Sequence, residues 1–334
     1  MDHLVAQGNR MKRRKVLAAL GLAWLGPTLA SAQQSGRIPV VGMLITHPPI
    51  TDPVVEALRS GLRQHGYEDG RNIRLEVRTA SGQLDRVPAL ARELVGLKVD
   101  VIVLANEPAL RAVTQATSTI PVVMSGYTDD PAAIGWIESY RRPGGNVTGV
   151  FTVNAALIAK HLELLKETLP YAGRIAVFWD SSFGKRQFDE VQRVAPGLGL
   201  QPNFIEIRNA GEIAPAFNTA KRNKAGAILV VWTPLLYVHR ERVAALSLET
   251  KLPMFTSMSA LAEAGALLSY GSRGNASFER AGYYVDRLLK GAKASELPVE
   301  QMSNIQLLVN MKTAKALGIT IPQSILLRAD EVIR

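Results

Sequence analysis

Short runs of β-branched and other apolar residues recur along this chain, separated by segments with helical spacing. The runs cover residues 38–45, 73–79, 99–105, 120–125, 175–179, 204–207, 227–231 and 254–257. Between them, Val54, Val55, Leu58 and Leu62, or Leu157, His161, Leu162 and Leu165, repeat at the three-to-four-residue interval of a helix face. This alternation is the signature of βαβ units, in which each strand needs a crossover helix to reach a parallel neighbour. Runs that are apolar throughout, with no polar alternation, predict strands covered by helices on both sides. Thr51 or Asp52 followed by Pro53 supplies a helix cap and a proline at the first helical position.

The predicted strands fall into two sets of four, with residues 142–149 (RPGGNVTG) between them. A proline and three glycines there break any regular element, so the segment reads as a tight turn and a boundary between two lobes. One continuous sheet of eight or more parallel strands is the alternative. The expected fold class is α/β, with two doubly wound parallel-sheet lobes.

The net charge of +10 invites a nucleic-acid reading, but five of the cations lie at Arg10, Lys12, Arg13, Arg14 and Lys15. The remainder are dispersed, with no basic run interleaved with aromatics, which argues against nucleic acid as a partner. That early basic cluster is followed by an apolar run over residues 16–25 and then by Ala30-Ser31-Ala32. Charged, apolar and small residues in this order form a secretory signal, with cleavage expected after Ala32 and a periplasmic destination. The apolar part is too short to hold a bilayer as an anchor. Arg13-Arg14 also suits twin-arginine export, so Sec and Tat stay open, and Met11 is an alternative start to Met1. The absence of cysteine rules out disulfides, thiolate metal sites and a lipid-modified cysteine.

Motifs for covalent chemistry are missing. The sequence has no G-x-x-x-x-G-K-[ST] phosphate cradle, no G-x-G-x-x-G after a strand and no G-x-S-x-G nucleophile elbow. His3, His47, His65, His161 and His239 include no pair four residues apart that would hold a metal from one helix face. No enzyme activity, no metal and no cofactor are expected, although a triad assembled by the tertiary fold leaves no local trace.

Several strings carry a resemblance. Asp130-Pro131, residues 142–149, LELLK at 162–166, SYG at 269–271, YVDRLLKG at 284–291, LPVEQ at 297–301 and RADEVI at 328–333 resemble, in the same order, segments of the ABC-transporter substrate-binding proteins whose better understood members bind tryptophan or related aromatic amino acids. The similarity runs over residues 38–334. It implies a type I periplasmic-binding fold, in which the chain crosses between lobes three times, here near residues 150–153, 270–273 and 307–310. On that reading residues 1–32 are the leader, and residues 37–150 form lobe one, to which 273–305 return. Residues 151–270 form lobe two, joined by part of 308–334. Hinge positions would be Val150, Thr152, Tyr270, Gly271 and Asn310. The implied role is solute capture by hinge closure for an importer whose permease and ATPase are the partners, with membrane contact only through the permease and the binding protein itself a monomer. A sensor that reports occupancy to a receptor would use the same clamp.

Ligands of open α/β sheets lie beyond the carboxyl ends of the strands. That rule selects Thr46, His47, Asn106, Glu107 and Asp130 from lobe one, and Asp180, Ser181, Trp232, Thr233 and Ser257 from lobe two. Helices starting at Pro53 or Pro108 would aim N–H groups and a positive dipole end at an anionic group. Asp130 would meet an ammonium, or else cap a helix beginning at Pro131. Glu107 departs from the small Gly-Ser or Gly-Thr pair that relatives usually place here, and a carboxylate there repels an anion or attracts a cation. Trp232 would stack on an aromatic ligand or pack in the core.

Overall fold

The computed structural model describes residues 37–46, 53–127, 129–272 and 275–334. His47 and the leader segment lie outside the described residues. In chain order the first strands are β1 (Val40–Ile45), β2 (Arg74–Thr79), β3 (Val101–Leu104), β4 (Val122–Tyr127) and β5 (Val147–Phe151). Then come β6 (Arg174–Trp179), β7 (Gln201–Glu206), β8 (Ala227–Val230), β9 (Met254–Thr256) and β10 (Leu268–Ser272). The last are β11 (Glu300–Gln301), β12 (Ile305–Asn310) and β13 (Glu331–Ile333). They form two sheets, ordered β11-β5-β4-β3-β1-β2 and β13-β12-β10-β9-β8-β6-β7. All pairings are parallel except β10 with β12.

Successive residues of a strand face opposite sides of the sheet, and here both sides are apolar. In β1, Val41, Met43 and Ile45 join one cluster with Leu58 and Tyr284, while Val40 and Leu44 join another with Leu94 and Leu110. In β6, Ile175 and Val177 face one cluster and Ala176 and Phe178 the other. Each sheet is thus sandwiched between helices, the doubly wound α/β arrangement expected from continuous apolar runs.

The division between the sheets falls later than residues 142–149. That segment makes its turn, with Gly144 at φ 84°, but Val147–Phe151 then continues as β5 of the first sheet. The glycines mark the turn into the last long strand of that lobe, and Gly149 within β5 hides the strand from a search for breakers. The first passage between sheets comes at Thr152 and Val153, because helix Asn154–Thr168 packs on the second sheet through Ile158, Leu162 and Leu165. The second follows β10, since helix Ala276–Leu289 packs on the first sheet. The third lies between β11 and β12, at residues 302–304, and not at 307–310. Asn310 is accordingly not a hinge residue. It ends β12 deep in the second sheet, 3% exposed, caps helix Met311–Leu317 by accepting the Thr313 N–H at 3.0 Å, and donates to the Ala262 carbonyl at 2.8 Å. An Asn at the end of an apolar run looks like a loop residue in sequence, yet here it is a buried cap.

Helix Ala276–Leu289 is held to the first lobe by a close crossing with helix Pro53–Gln64. A Cβ on Gly282 would lie 2.3 Å from the Gly61 carbonyl carbon, and one on Gly61 would lie 2.1 Å from the Glu279 carbonyl oxygen. Both contacts are with backbone, which cannot rotate away. Gly282→Ala is therefore expected to cost about 2 kcal/mol of unfolding free energy in urea, the scale of an overpacked contact. A loss below about 0.5 kcal/mol, ordinary for a surface change, would show that the crossing is not tight.

His161 stands on helix Asn154–Thr168 beneath β10, where its Nε2 lies 2.6 Å from the Tyr270 carbonyl oxygen and its ring meets Tyr270 edge-on. Burial holds its pKa down to about 4, against smaller opposing effects of the Tyr270 and Thr256 backbone. The unfolded chain therefore takes up a proton below pH 6.5 that the folded chain refuses until about pH 4, so stability falls as pH drops through that window. The expected loss is about 3 kcal/mol, at 1.36 kcal/mol per tenfold of proton affinity. Urea titrations at pH 7 and pH 4.5 should show this share vanish in His161→Asn, and equal acid sensitivity in both proteins would contradict it.

Candidate functional site

The strand order of each lobe reverses beside its first strand, and chains leaving the two sides of such a reversal open a crevice at the carboxyl edge. In the first lobe the reversal lies between β1 and β3, which lead to Thr46 and Asn106. In the second it lies between β6 and β8, which lead to Asp180 and Trp232. The carboxyl edges of the two sheets enclose a cavity of about 830 Å³, open mouth included.

From the first lobe, Asn106 and Gly126 reach the wall, with Val54 from helix Pro53–Gln64 and Phe278 from helix Ala276–Leu289. From the second come Trp232, Tyr237 and the run Ser257-Met258-Ser259-Ala260. The passages between sheets contribute Thr152, Asn154, Ser272, Asn275 and Ser277. Thr152 and Ser272 leave the two sheets side by side, their hydroxyl oxygens 3.2 Å apart. Gly271 lets β10 lie close against the segment that follows β9, because a Cβ there would lie 2.1 Å from the Ser257 carbonyl oxygen.

Of the ligand positions expected from strand ends, Asn106, Trp232 and Ser257 line the cavity. Asn106 also caps helix Glu107–Ala116, accepting the Ala109 N–H at 3.2 Å, while its Nδ2 donates to Thr46 Oγ1 at 2.7 Å. Thr46, 1% exposed, thus sits behind the wall and fixes the Asn106 amide. Trp232 lines the cavity and packs edge-on against Phe183, ring centres 6.4 Å apart. Ser257 Oγ is buried with no hydrogen-bond partner among the described residues.

The other positions are engaged elsewhere. Glu107 turns outward to pair with Arg111, whose guanidinium lies 5.5 Å from the Trp136 ring centre. Asp130 is folded into its own turn, accepting the Ala132 and Ala133 N–H groups at 2.9 and 3.2 Å and the Tyr140 hydroxyl at 2.8 Å. Residues 131–136 form turns and not the helix that Pro131 suggested. Burial tends to raise the Asp130 pKa, but those hydrogen bonds outweigh it and hold the carboxyl below its ordinary value. Asp180 accepts the Ser182 N–H at 2.8 Å, and burial raises its pKa. Ser181 donates to Glu206, and Thr233, fully buried, caps helix Pro234–Val238 by accepting the Leu236 N–H at 3.1 Å. Each is a short polar side chain at a strand end, and such residues satisfy nearby backbone N–H groups as readily as a ligand.

Strand-end reasoning missed Asn154, Ser259, Asn275 and Ser277. The signal for them was present, since each opens a helix directly after a strand or a passage. Of the expected hinge positions, Thr152 lines the cavity, Val150 is buried in β5, and Tyr270 and Gly271 lie in β10. Across the mouth, Arg186 Nε of the second lobe lies 3.5 Å from Asp129 Oδ1 of the first. Burial raises the Asp129 pKa, Arg186 opposes it and Glu107 adds to it.

Residues 38–333 match the family model described as ABC transporter substrate binding protein. A tyrosine-binding protein of Clostridioides difficile is 28% identical over 286 residues, covering 83% of this chain and 79% of the relative. An ABC domain from Streptococcus pneumoniae in complex with L-Trp superposes with a TM-score of 0.79 at 29% identity, covering 89% of this chain and 100% of the other. A ligand-free, open substrate binding protein with adhesive properties from Clostridium difficile superposes at 0.61 and 25% identity, covering 89% and 99%. Two doubly wound lobes joined by three passages constitute the type I periplasmic-binding fold, and this chain belongs to the ABC transporter substrate-binding protein family.

Proposed function

We infer that the chain is the extracytoplasmic solute-binding component of an ABC importer, and that it captures a small molecule with an apolar or aromatic body by closure of its two lobes. The observation that carries this reading is a cavity walled from both sheets and floored by the passages between them. A ligand that touches both walls favours the closed arrangement by the difference of its affinities for the two states. Trp232, Tyr237 and Phe278 offer ring faces or edges to an apolar body, and the amides and hydroxyls around them orient polar groups.

Closure is further supported by the higher similarity to a ligand complex than to an open, ligand-free relative. Thr152 and Ser272 act as the hinge, and the Arg186–Asp129 pair spans the mouth in the closed state. Such a partly exposed pair contributes about 0–1 kcal/mol, enough to bias closure but not to impose it. Release would hand the solute to a permease driven by its ATPase, with the binding protein performing no covalent step. The basic, apolar and small-residue order of residues 12–32 supports export to the periplasm, and no described helix is long and apolar enough to cross a membrane. An aromatic amino acid or a related small organic solute is the ligand class that the relatives and the ring-lined wall support together.

A ligand that binds only the folded state raises its melting temperature. A thermal-shift screen of aromatic amino acids and small aromatic acids is therefore expected to give at least one saturable shift. Trp232→Ala should weaken that ligand about tenfold, or about 1.4 kcal/mol, with little change in the unliganded melting temperature. No shift from any aromatic compound, or full affinity in Trp232→Ala, would contradict this assignment of the site.

A further inference from the structure

The carboxyl end of β4 departs from regular strand geometry. Its pairing with β5 shifts register between Met124 and Tyr127, and Gly126, inside that irregularity, takes φ 76°. Met124 and Tyr127 both turn into the cluster on one side of the sheet, while Gly126 lies at the cavity wall. At Gly66, Gly70, Gly82 and Gly135, also at positive φ, an added Cβ would meet nothing within 4 Å, so conformation alone accounts for glycine there. At Gly126 the added Cβ would lie 3.2 Å from Phe278 Cε2, 3.5 Å from Phe278 Cζ and 3.5 Å from Ser277 Oγ. Phe278 and Ser277 line the cavity as well. Glycine thus has a second effect at this position: it lets the Phe278 ring lie back against the strand end.

That ring has little room to yield away from the cavity. Phe278 is 6% exposed and belongs to the apolar cluster that holds Val54, Val55 and Ala105. Its helix, Ala276–Leu289, is pinned to helix Pro53–Gln64 by the backbone contacts at Gly61 and Gly282. A close-packed cluster resists added volume, so a methyl group on residue 126 is relieved most readily by turning the ring toward open space. Phe278 stands on the first lobe and Trp232 on the second, and the set of the Phe278 ring decides how much of a ring system fits between the two walls.

We propose that Gly126 and Phe278 together set the largest aromatic body the site admits, with Gly126 as the size-determining residue and the Phe278 ring as the surface it positions. The proposal rests on the clamp reading above and adds a determinant of ligand size to it. One methylene group more or less in a hydrophobic pocket discriminates by roughly 10–200-fold, so a ring displaced by one methyl group has a measurable effect.

The test is calorimetric titration with phenyl, indolyl and 2-naphthyl bodies, each carried both as the L-alanine derivative and as the propanoate. Gly126→Ala is expected to weaken the indolyl and naphthyl probes at least about tenfold more than the phenyl probes. The positive φ strains alanine and lowers the melting temperature, but strain alone leaves the preference among bodies unchanged. Phe278→Leu keeps Gly126 and its backbone and removes ring volume, and it is expected to strengthen naphthyl relative to phenyl at least fivefold. Where Gly126→Ala does not fold, or the unchanged protein binds phenyl probes alone, Phe278→Leu decides. Equal weakening of all three bodies in a folded Gly126→Ala protein, or an unchanged naphthyl-to-phenyl ratio in Phe278→Leu, would overturn this proposal and leave the clamp reading intact. No binding of any probe to the unchanged protein would overturn both.

Discussion

The whole site depends on β5 and β10 ending beside each other, so that Thr152 and Ser272 leave different sheets within hydrogen-bonding distance. Neither strand belongs to the other's sheet, and the hydroxyl pair ties two passages whose residues are far apart in sequence. Everything lining the cavity follows from that junction. Helix Asn154–Thr168 starts immediately beyond one passage and helix Ala276–Leu289 beyond the other. Gly61 and Gly282 then fix the second of these helices to the first lobe, by backbone contacts that admit no side chain.

The same geometry explains why the described residues of the wall carry no charge. Charged side chains at strand ends sit at the rim, where water and opposite charges are within reach, and there Glu107, Asp129 and Arg186 find partners. The floor is made of passages and helix starts, where only small or amide-bearing residues fit between converging backbones. At the rim the Arg186–Asp129 pair joins one lobe to the other.

Much of this was legible in the sequence. Apolar runs without alternation showed strands covered on both faces, and Val41 with Met43 against Val40 with Leu44 bears this out residue by residue. Asn106, Trp232 and Ser257 were reachable because strand-end positions in this architecture converge on one crevice. Asp130, Asp180 and Thr233 misled for a physical reason: capping a local N–H and binding a ligand ask for the same side chains. The third passage was hidden because β11 is two residues long and carries no apolar run, so the eye moves on to β12 and stops at Asn310. The places of Asn154 and Asn275 in the wall belong to tertiary geometry, since only the meeting of two passages turns ordinary helix starts into one wall.

Hinge closure around a solute is the central claim, and small-angle X-ray scattering of the purified chain, before and after saturation with its tightest ligand, tests it most directly. The account predicts a smaller radius of gyration with ligand and a scattering curve that approaches the one calculated from the two-lobed arrangement described above. Identical curves at demonstrated saturation would contradict it, because a ligand that leaves the lobes where they were has not been captured by closing them.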